Sequence, residues 1–172
     1  MHTLSLTTFE LSMLIISVLL TGVSVVLSYM SRWEAVLLSF AALVFGKLSG
    51  LLVDSSSLIF WGLASIIVVV IYFLLPRQVR MSRVGLPYFC TGALAGAFLG
   101  LLLNSVAGVI VASAAGVLLG AVAFSRMDAG RVLEFPSKKF FNYLCAKGLP
   151  LVVIFSMLGI LCLHFILLGA SV

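Results

Sequence analysis

Charged residues are scarce in this sequence. Its 172 residues include only ten Lys or Arg and five Asp or Glu, which is 9% of the chain, whereas 63% of the residues are apolar. A soluble domain has about 25% charged and about 45–50% apolar residues, so these few charges cannot cover the surface of a soluble fold. The apolar stretches are continuous rather than alternating in short pieces, which disfavours a transmembrane β-barrel. The composition therefore predicts a polytopic helical membrane protein.

The motifs of enzymes, metal sites and nucleic-acid binding are also missing. The three cysteines, Cys90, Cys145 and Cys162, form no CxxC pair, so neither a zinc site nor a disulfide framework is expected. The sequence has no HExxH motif, nucleophile elbow or paired-carboxylate motif. Its basic residues lie between apolar segments rather than along a polar helix, which disfavours nucleic acid as a partner. We therefore expect a non-catalytic protein without a cofactor, surrounded by the lipid bilayer.

Six apolar segments approach the roughly 20 residues that a helix needs to cross a bilayer. The predicted spans cover residues 11–28, 33–53, 58–75, 85–103, 106–124 and 149–169. Pro76 ends the third span, and Pro87 lies in the first turn of the fourth, where a missing N–H costs nothing. The sequence thus predicts one integral membrane domain over residues 1–172, an all-α bundle of about six helices. Whether the 85–124 hairpin crosses fully or is re-entrant stays open.

The basic residues indicate an orientation. With six complete spans, nine of the ten Lys and Arg residues fall in connections on one side, and the positive-inside rule makes that side cytoplasmic. These nine are Arg32, Arg77, Arg80, Arg83, Arg126, Arg131, Lys138, Lys139 and Lys147. Both termini are then extracytoplasmic. No Lys or Arg precedes the first span, so we expect it to be a retained helix rather than a secretory signal.

The connection before the sixth span mixes basic with apolar residues. Residues 131–147 combine Arg131, Lys138, Lys139 and Lys147 with several aromatic and aliphatic side chains. This pattern is typical of an amphipathic helix lying on the membrane interface. Such a helix either senses anionic lipids or simply links the two spans.

Small residues recur every four positions in the fourth and fifth spans. Positions four apart drift only about 40° around a helix, so they form a stripe on one face. The stripes consist of Gly92, Gly96 and Gly100, then Gly108, Ala112, Gly116 and Gly120. In lipid, helices associate through close packing of such faces, which predicts a glycine-zipper antiparallel hairpin. The same stripes are also compatible with a homo-oligomer interface or a pore lining.

Four polar residues are expected at similar depth near the extracytoplasmic side. Lys47 is the single basic residue inside a predicted span, and Asp54 follows it by seven residues, on roughly the same helical face. Glu10 and His164 fall at comparable depth under the predicted topology. These residues predict a polar layer, which is either an ion or proton gate or a snorkelling lysine with a hydrogen-bonded histidine.

The order of features resembles a known bacterial membrane family. The chain resembles the family called domain of unknown function 456 in four consecutive features. These are a span ending in YFLLP at Tyr72–Pro76, a short basic loop, the segment VGLPYFCTGALAGAFLGLLLNSVAGVIVASAAGVLLGAVAFSR and the segment AKGLPLVVIFSMLGILC. The resemblance covers about residues 60–165. The chain departs from the family pattern at Asn104-Ser105, where a Gly-Pro turn would be expected. The resemblance implies a protein of the bacterial inner membrane and carries over no functional residues.

Two functions of different classes fit these features. The first is a scaffold or accessory subunit that packs through small-residue helix faces, as a homo-oligomer or within a membrane complex. The second is a small transporter or channel for ions or an amphiphilic solute, with Lys47, Asp54 and His164 along its path. Glycine-rich interruptions occur only in the second half of the chain, whereas transporters carry them in both halves. The scaffold is therefore the favoured prediction.

Overall fold

The computed structural model describes residues 8–50, 53–81, 83–127 and 137–170, and within these ranges the chain forms helices and no β-strand. The helices are α1 (Thr8–Tyr29), α2 (Glu34–Leu48), α3 (Ser55–Leu74), α4 (Arg77–Met81), α5 (Leu86–Leu102), α6 (Val106–Ser125), α7 (Lys138–Tyr143) and α8 (Leu149–Ala170). A π-helical turn at Leu144–Gly148 joins α7 to α8. The prediction of an all-α bundle is confirmed.

In the part of the chain that the structure describes, four helical segments are long and apolar enough to cross a membrane. They are Thr8–Tyr29, Ser55–Leu74, Val106–Ser125 and the continuous segment Lys138–Leu167. α5 is apolar but has 17 residues, and α2 has 15. At 1.5 Å per residue these two helices extend only about 25 and about 22 Å, less than the roughly 30 Å of a hydrocarbon core. The helices therefore mark a membrane protein, while the count of six crossings stays a prediction.

The largest difference from the predicted boundaries concerns the second span. The sequence predicts a helix over residues 33–53, but α2 ends at Leu48. Gly50 then adopts a φ of +88°, a left-handed conformation that favours glycine and commonly ends a helix. α3 in turn begins at Ser55, three residues before its predicted start, because the serines that follow Asp54 form its first turn.

Two helical hairpins pack against α8. α1 pairs with α2 and α5 pairs with α6, and α8 contacts all four of these helices. Ile154 and Met157 of α8 belong to an apolar cluster shared with α2 and α3. Leu151 and Phe155 belong to a second cluster shared with α5, α6 and α7. The last helix is thus the central element of the bundle, and it is apolar on every side as such a position requires.

The segment before α8 is more deeply packed than an interfacial linker. Within the predicted stretch 131–147, residues 131–136 lie outside the described residues. In α7, Phe140 and Tyr143 are 2% and 4% exposed, whereas Phe141 points outward with 51% exposed. The ring of Tyr143 contacts that of Phe89 in α5, with 5.6 Å between centroids. The described part is amphipathic as predicted, but its apolar side packs against the bundle rather than against lipid.

Candidate functional site

α5 and α6 contact each other backbone to backbone. A Cβ atom added at Gly92 would overlap the carbonyl oxygen of Gly116, and one added at Gly96 would overlap that of Ala112. The contacts advance by four residues along α5 and retreat by four along α6, which is the register of an antiparallel pair. The predicted stripe residues all line this helix pair: Gly92, Gly96, Gly100, Gly108, Ala112, Gly116 and Gly120. The stripe therefore packs the two helices tightly against each other.

α1 and α2 are joined by serine hydroxyl groups. Ser17 Oγ donates a hydrogen bond to the carbonyl oxygen of Ala42, and Ser24 Oγ donates to that of Ala35, each at 2.7 Å. Both serines are buried, with 4% and 1% of their surface exposed. A hydroxyl group in a helix commonly bonds to the preceding turn of its own helix, as Thr21 does to the carbonyl oxygen of Ser17. Sequence reasoning therefore missed these two bonds between helices.

The predicted polar layer is partly assembled. Lys47 Nζ donates a hydrogen bond to Ser55 Oγ at 2.5 Å, which ties the end of α2 to the start of α3. Glu10 Oε1 lies 3.8 Å from the position that a Cβ on Gly50 would occupy, so α1 begins beside this turn. Because α2 ends before Asp54, Lys47 and Asp54 do not share a helical face as predicted. Lys47 lies in the last turn of α2, and Asp54 immediately precedes α3.

Asp54 and His164 each have a local partner. The Asp54 carboxylate accepts a hydrogen bond from Ser56, which lowers the pKa of the exposed carboxyl below its usual value, and Lys47 adds to this effect. His164 Nδ1 lies 2.8 Å from the carbonyl oxygen of Ile160 in its own helix. Among the described residues, no group of three His, Cys, Asp or Glu could hold a metal ion. Lys47 and Asp54 thus lie at the ends of α2 and α3, whereas His164 bonds within α8.

Lys147 is the unexpected charged residue of the fold. It lies in the π-helical turn before α8 and is only 2% exposed. Its Nζ donates a hydrogen bond to Ser31 Oγ in the turn between α1 and α2, 116 positions away in the chain. Ser31 has a φ of +58°, a left-handed conformation that is uncommon outside glycine and asparagine. Lys147 was expected at the membrane interface, at the end of the amphipathic stretch 131–147, and its small neighbours Ala146 and Gly148 were the available signal of tight packing.

A cleft opens beside this lysine at the end of the bundle where the basic connections meet. Its volume is about 340 Å³, at the lower end of the roughly 300–1,000 Å³ of small-molecule sites. The α1–α2 turn contributes Ser31, Arg32 and Trp33, α3 contributes Tyr72, and the connection before α5 contributes Arg83. We call this cavity, with those lining residues, the basic cleft.

The basic cleft continues inward to Lys147. A smaller cavity of about 20 Å³ shares the lining residues Ser31 and Tyr72 with the cleft and reaches Lys147. This volume suits about one water molecule. On the outer wall, Arg32 Nε pairs with Glu34 Oε2 at 3.8 Å, too long for a hydrogen bond. The guanidinium group of Arg32 therefore has N–H groups available to a bound anion.

Comparison of the chain with protein-family models, with curated proteins and with solved structures finds no match in any of the three. The resemblance to the domain of unknown function 456 therefore stays a prediction.

Proposed function

We propose that the chain is a non-catalytic subunit of the bacterial inner membrane, a scaffold or accessory protein that binds a partner helix through small residues. In this proposal α1, α2, α3, α5, α6 and α8 cross the bilayer, and α5 with α6 forms a glycine-zipper hairpin. The basic connections face the cytoplasm and both termini are extracytoplasmic. Membership of the domain of unknown function 456 is part of the same proposal.

The observation that carries this proposal is an open groove on the outer face of α5 and α6. It has a volume of about 560 Å³ and is lined mainly by glycine and alanine, including Ala95, Ala115 and Ala123. Ala95 and Ala115 are exposed. Small residues allow a further helix to approach closely, and this approach is the main source of helix association in lipid. The hairpin thus has small residues both between its helices and on its outer face.

Two observations favour an accessory role over a transporter. Lys47 is bonded to Ser55 at the junction of α2 and α3, where a lysine can reach the interface, rather than halfway along a helix. The described cavities lie at the basic end of the bundle, in the α5–α6 groove, and between Ser17 of α1 and Cys162 of α8. These cavities lie in three separate places of the bundle. A path through Lys47, Asp54 and His164 therefore has less support.

The proposed role of the groove is tested by a substitution that fills it with a larger side chain. We expect the wild-type protein, extracted from its native membrane in lipid nanodiscs, to have a native mass larger than that of one chain. Ala115→Leu should reduce the bound fraction about tenfold, because the added side chain prevents close approach of the partner helix. Ala107→Leu is the matched control, since Ala107 is also exposed on α6 but does not line the groove.

The outcomes separate the alternatives. Loss of a different subunit in Ala115→Leu supports the accessory role, and loss of a second copy of this chain assigns the groove to a homo-oligomer. A wild-type protein that is extracted as a single chain would refute the proposal. Equal association of the two variants would also refute it.

A further inference from the structure

Two arginines from different parts of the chain line the basic cleft. Arg32 comes from the α1–α2 turn and Arg83 from the connection before α5. Both residues are exposed, and the one carboxylate among the described lining residues, Glu34, lies beside Arg32. Guanidinium groups bind phosphate oxygens through paired, charge-assisted hydrogen bonds. The cleft therefore offers two such groups to one anion.

A hydroxyl donor completes this arrangement on the inner wall. Ser31 Oγ accepts a hydrogen bond from the ammonium group of Lys147. A serine hydroxyl group has one proton and two lone pairs, so its proton remains available to a second acceptor in the cleft. Lys147 holds this oxygen in place and adds its own positive charge behind it. Arg83 is close enough to Lys147 for the two charges to repel each other, and an anion bound at Arg83 would offset that repulsion.

The aromatic residues place the cleft at the level of lipid headgroups. Trp33 immediately precedes α2, and Tyr72 lies in the last turn of α3. The ring of Trp33 also contacts Phe73, with 5.4 Å between centroids. Trp and Tyr concentrate where the hydrocarbon core meets the headgroups. The cleft thus combines an apolar edge toward the acyl chains with a cationic interior.

From these observations we propose that the basic cleft binds a phosphate group through Arg32, Arg83 and Ser31, with Lys147 positioning Ser31. The phosphate belongs to an anionic phospholipid headgroup or to a small soluble phosphate compound, and the aromatic edge favours the lipid. The inference depends on the cleft lying at the membrane interface and is independent of the accessory role, which concerns the outer face of α5 and α6.

The experiment measures which lipid the full chain retains. The protein is reconstituted into phosphatidylcholine nanodiscs containing a minority of phosphatidic acid, extracted into detergent and examined by native mass spectrometry. We expect one retained phosphatidic acid per chain. Arg32→Gln and Arg83→Gln should each reduce this retention about tenfold, because each removes charge-assisted hydrogen bonds. Arg77→Gln is the matched control, since Arg77 is exposed at the same end of the bundle but does not line the cleft.

Two further measurements identify the source of the phosphate group and the role of Ser31. Inorganic phosphate is added to protein in pure phosphatidylcholine, and thermal stability is measured. Stabilisation of the wild type but not of Arg83→Gln, without retained phosphatidic acid, would assign the cleft to a soluble phosphate and overturn the lipid source. Ser31→Ala tests the inner wall without removing the buried lysine, and we expect about fivefold weaker retention. Retention equal to wild type in both arginine variants, or equal loss in Arg77→Gln, would overturn the proposal.

Discussion

The two hairpins of this protein meet the same packing requirement with different chemistry. In the α1–α2 pair, Ser17 and Ser24 donate hydrogen bonds across the interface to backbone carbonyl groups. In the α5–α6 pair the backbones themselves are in contact, and at Gly92 and Gly96 there is no room for a single added carbon. One interface is held by directional polar bonds between side chain and backbone, and the other by close van der Waals contact along four turns.

The two interfaces should differ in how well they tolerate amino-acid substitutions. Lipid supplies little hydrophobic drive for helix association, so both pairs depend on short contact distances. A serine already carries a Cβ atom, so its loss to alanine removes one hydrogen bond and leaves the helix spacing unchanged. A glycine in backbone contact cannot gain an atom without separating the helices. We therefore expect graded effects of substitution in the first hairpin and abrupt effects in the second.

The largest expected effect is that of Gly96→Ala. The new methyl group would overlap the carbonyl oxygen of Ala112, and we expect the free energy of unfolding to fall by about 3 kcal/mol, the upper part of the range for overpacking. Denaturant titration of the purified protein in mixed micelles measures this loss. The matched control is Gly22→Ala in α1, where no atom lies within 4 Å of the added Cβ.

Because alanine has the higher helix propensity, Gly22→Ala should leave stability unchanged or raise it by up to about 1 kcal/mol. If Gly96→Ala were as stable as Gly22→Ala, the backbone contact between α5 and α6 would be wrong.

The sequence predicts the second hairpin better than the first for a physical reason. Glycine at four-residue spacing has few uses in a membrane helix besides close packing, so the α5–α6 contact could be expected. A serine can bond to its own preceding turn or to a facing helix, and the local sequence of Ser17 or Ser24 does not distinguish the two. The apolar character and short connection of α1 and α2 predict that the two helices pair. They do not predict which atoms form the hydrogen bonds between them.

The basic cleft could not be predicted because it depends on distant segments. Lys147 stands directly before an apolar span, which is where topology signals place basic residues. The hydroxyl group to which it bonds belongs to Ser31, 116 residues earlier. The end of α2 was missed for a related reason, since Leu51, Leu52 and Val53 continue the apolar pattern after the left-handed Gly50 has ended the helix.

The next prediction concerns the serine bonds of the first hairpin. Ser17→Ala and Ser24→Ala should each lower the free energy of unfolding by about 0.6 kcal/mol, the average for hydrogen bonds between membrane helices. The two positions are two turns apart and have separate acceptors, so the double variant should lose about 1.2 kcal/mol. Ser12→Ala is the control, because Ser12 is exposed and bonds to Phe9 of its own helix. A loss of 3 kcal/mol or more in either single variant would show that the two hairpins are equally sensitive to substitution.

The smallest expected effect is that of Asn104→Gly in the α5–α6 turn, and the same change in the α1–α2 turn should have the opposite sign. Asn104 in the α5–α6 turn has a φ of +47° and Ser31 in the α1–α2 turn has a φ of +58°, so glycine relieves backbone strain at both positions. Asn104→Gly should therefore gain a few tenths of a kcal/mol in the free energy of unfolding, since asparagine already tolerates this conformation.

Ser31→Gly removes the oxygen that accepts the Lys147 hydrogen bond, and a bond to a charged group contributes about 1.5–3 kcal/mol. This loss exceeds the roughly 1 kcal/mol of relieved strain, so Ser31→Gly should be less stable than wild type by about 0.5–2 kcal/mol. The two variants are compared in the same denaturant titration, and a gain in stability for Ser31→Gly would mean that the buried lysine does not depend on this turn.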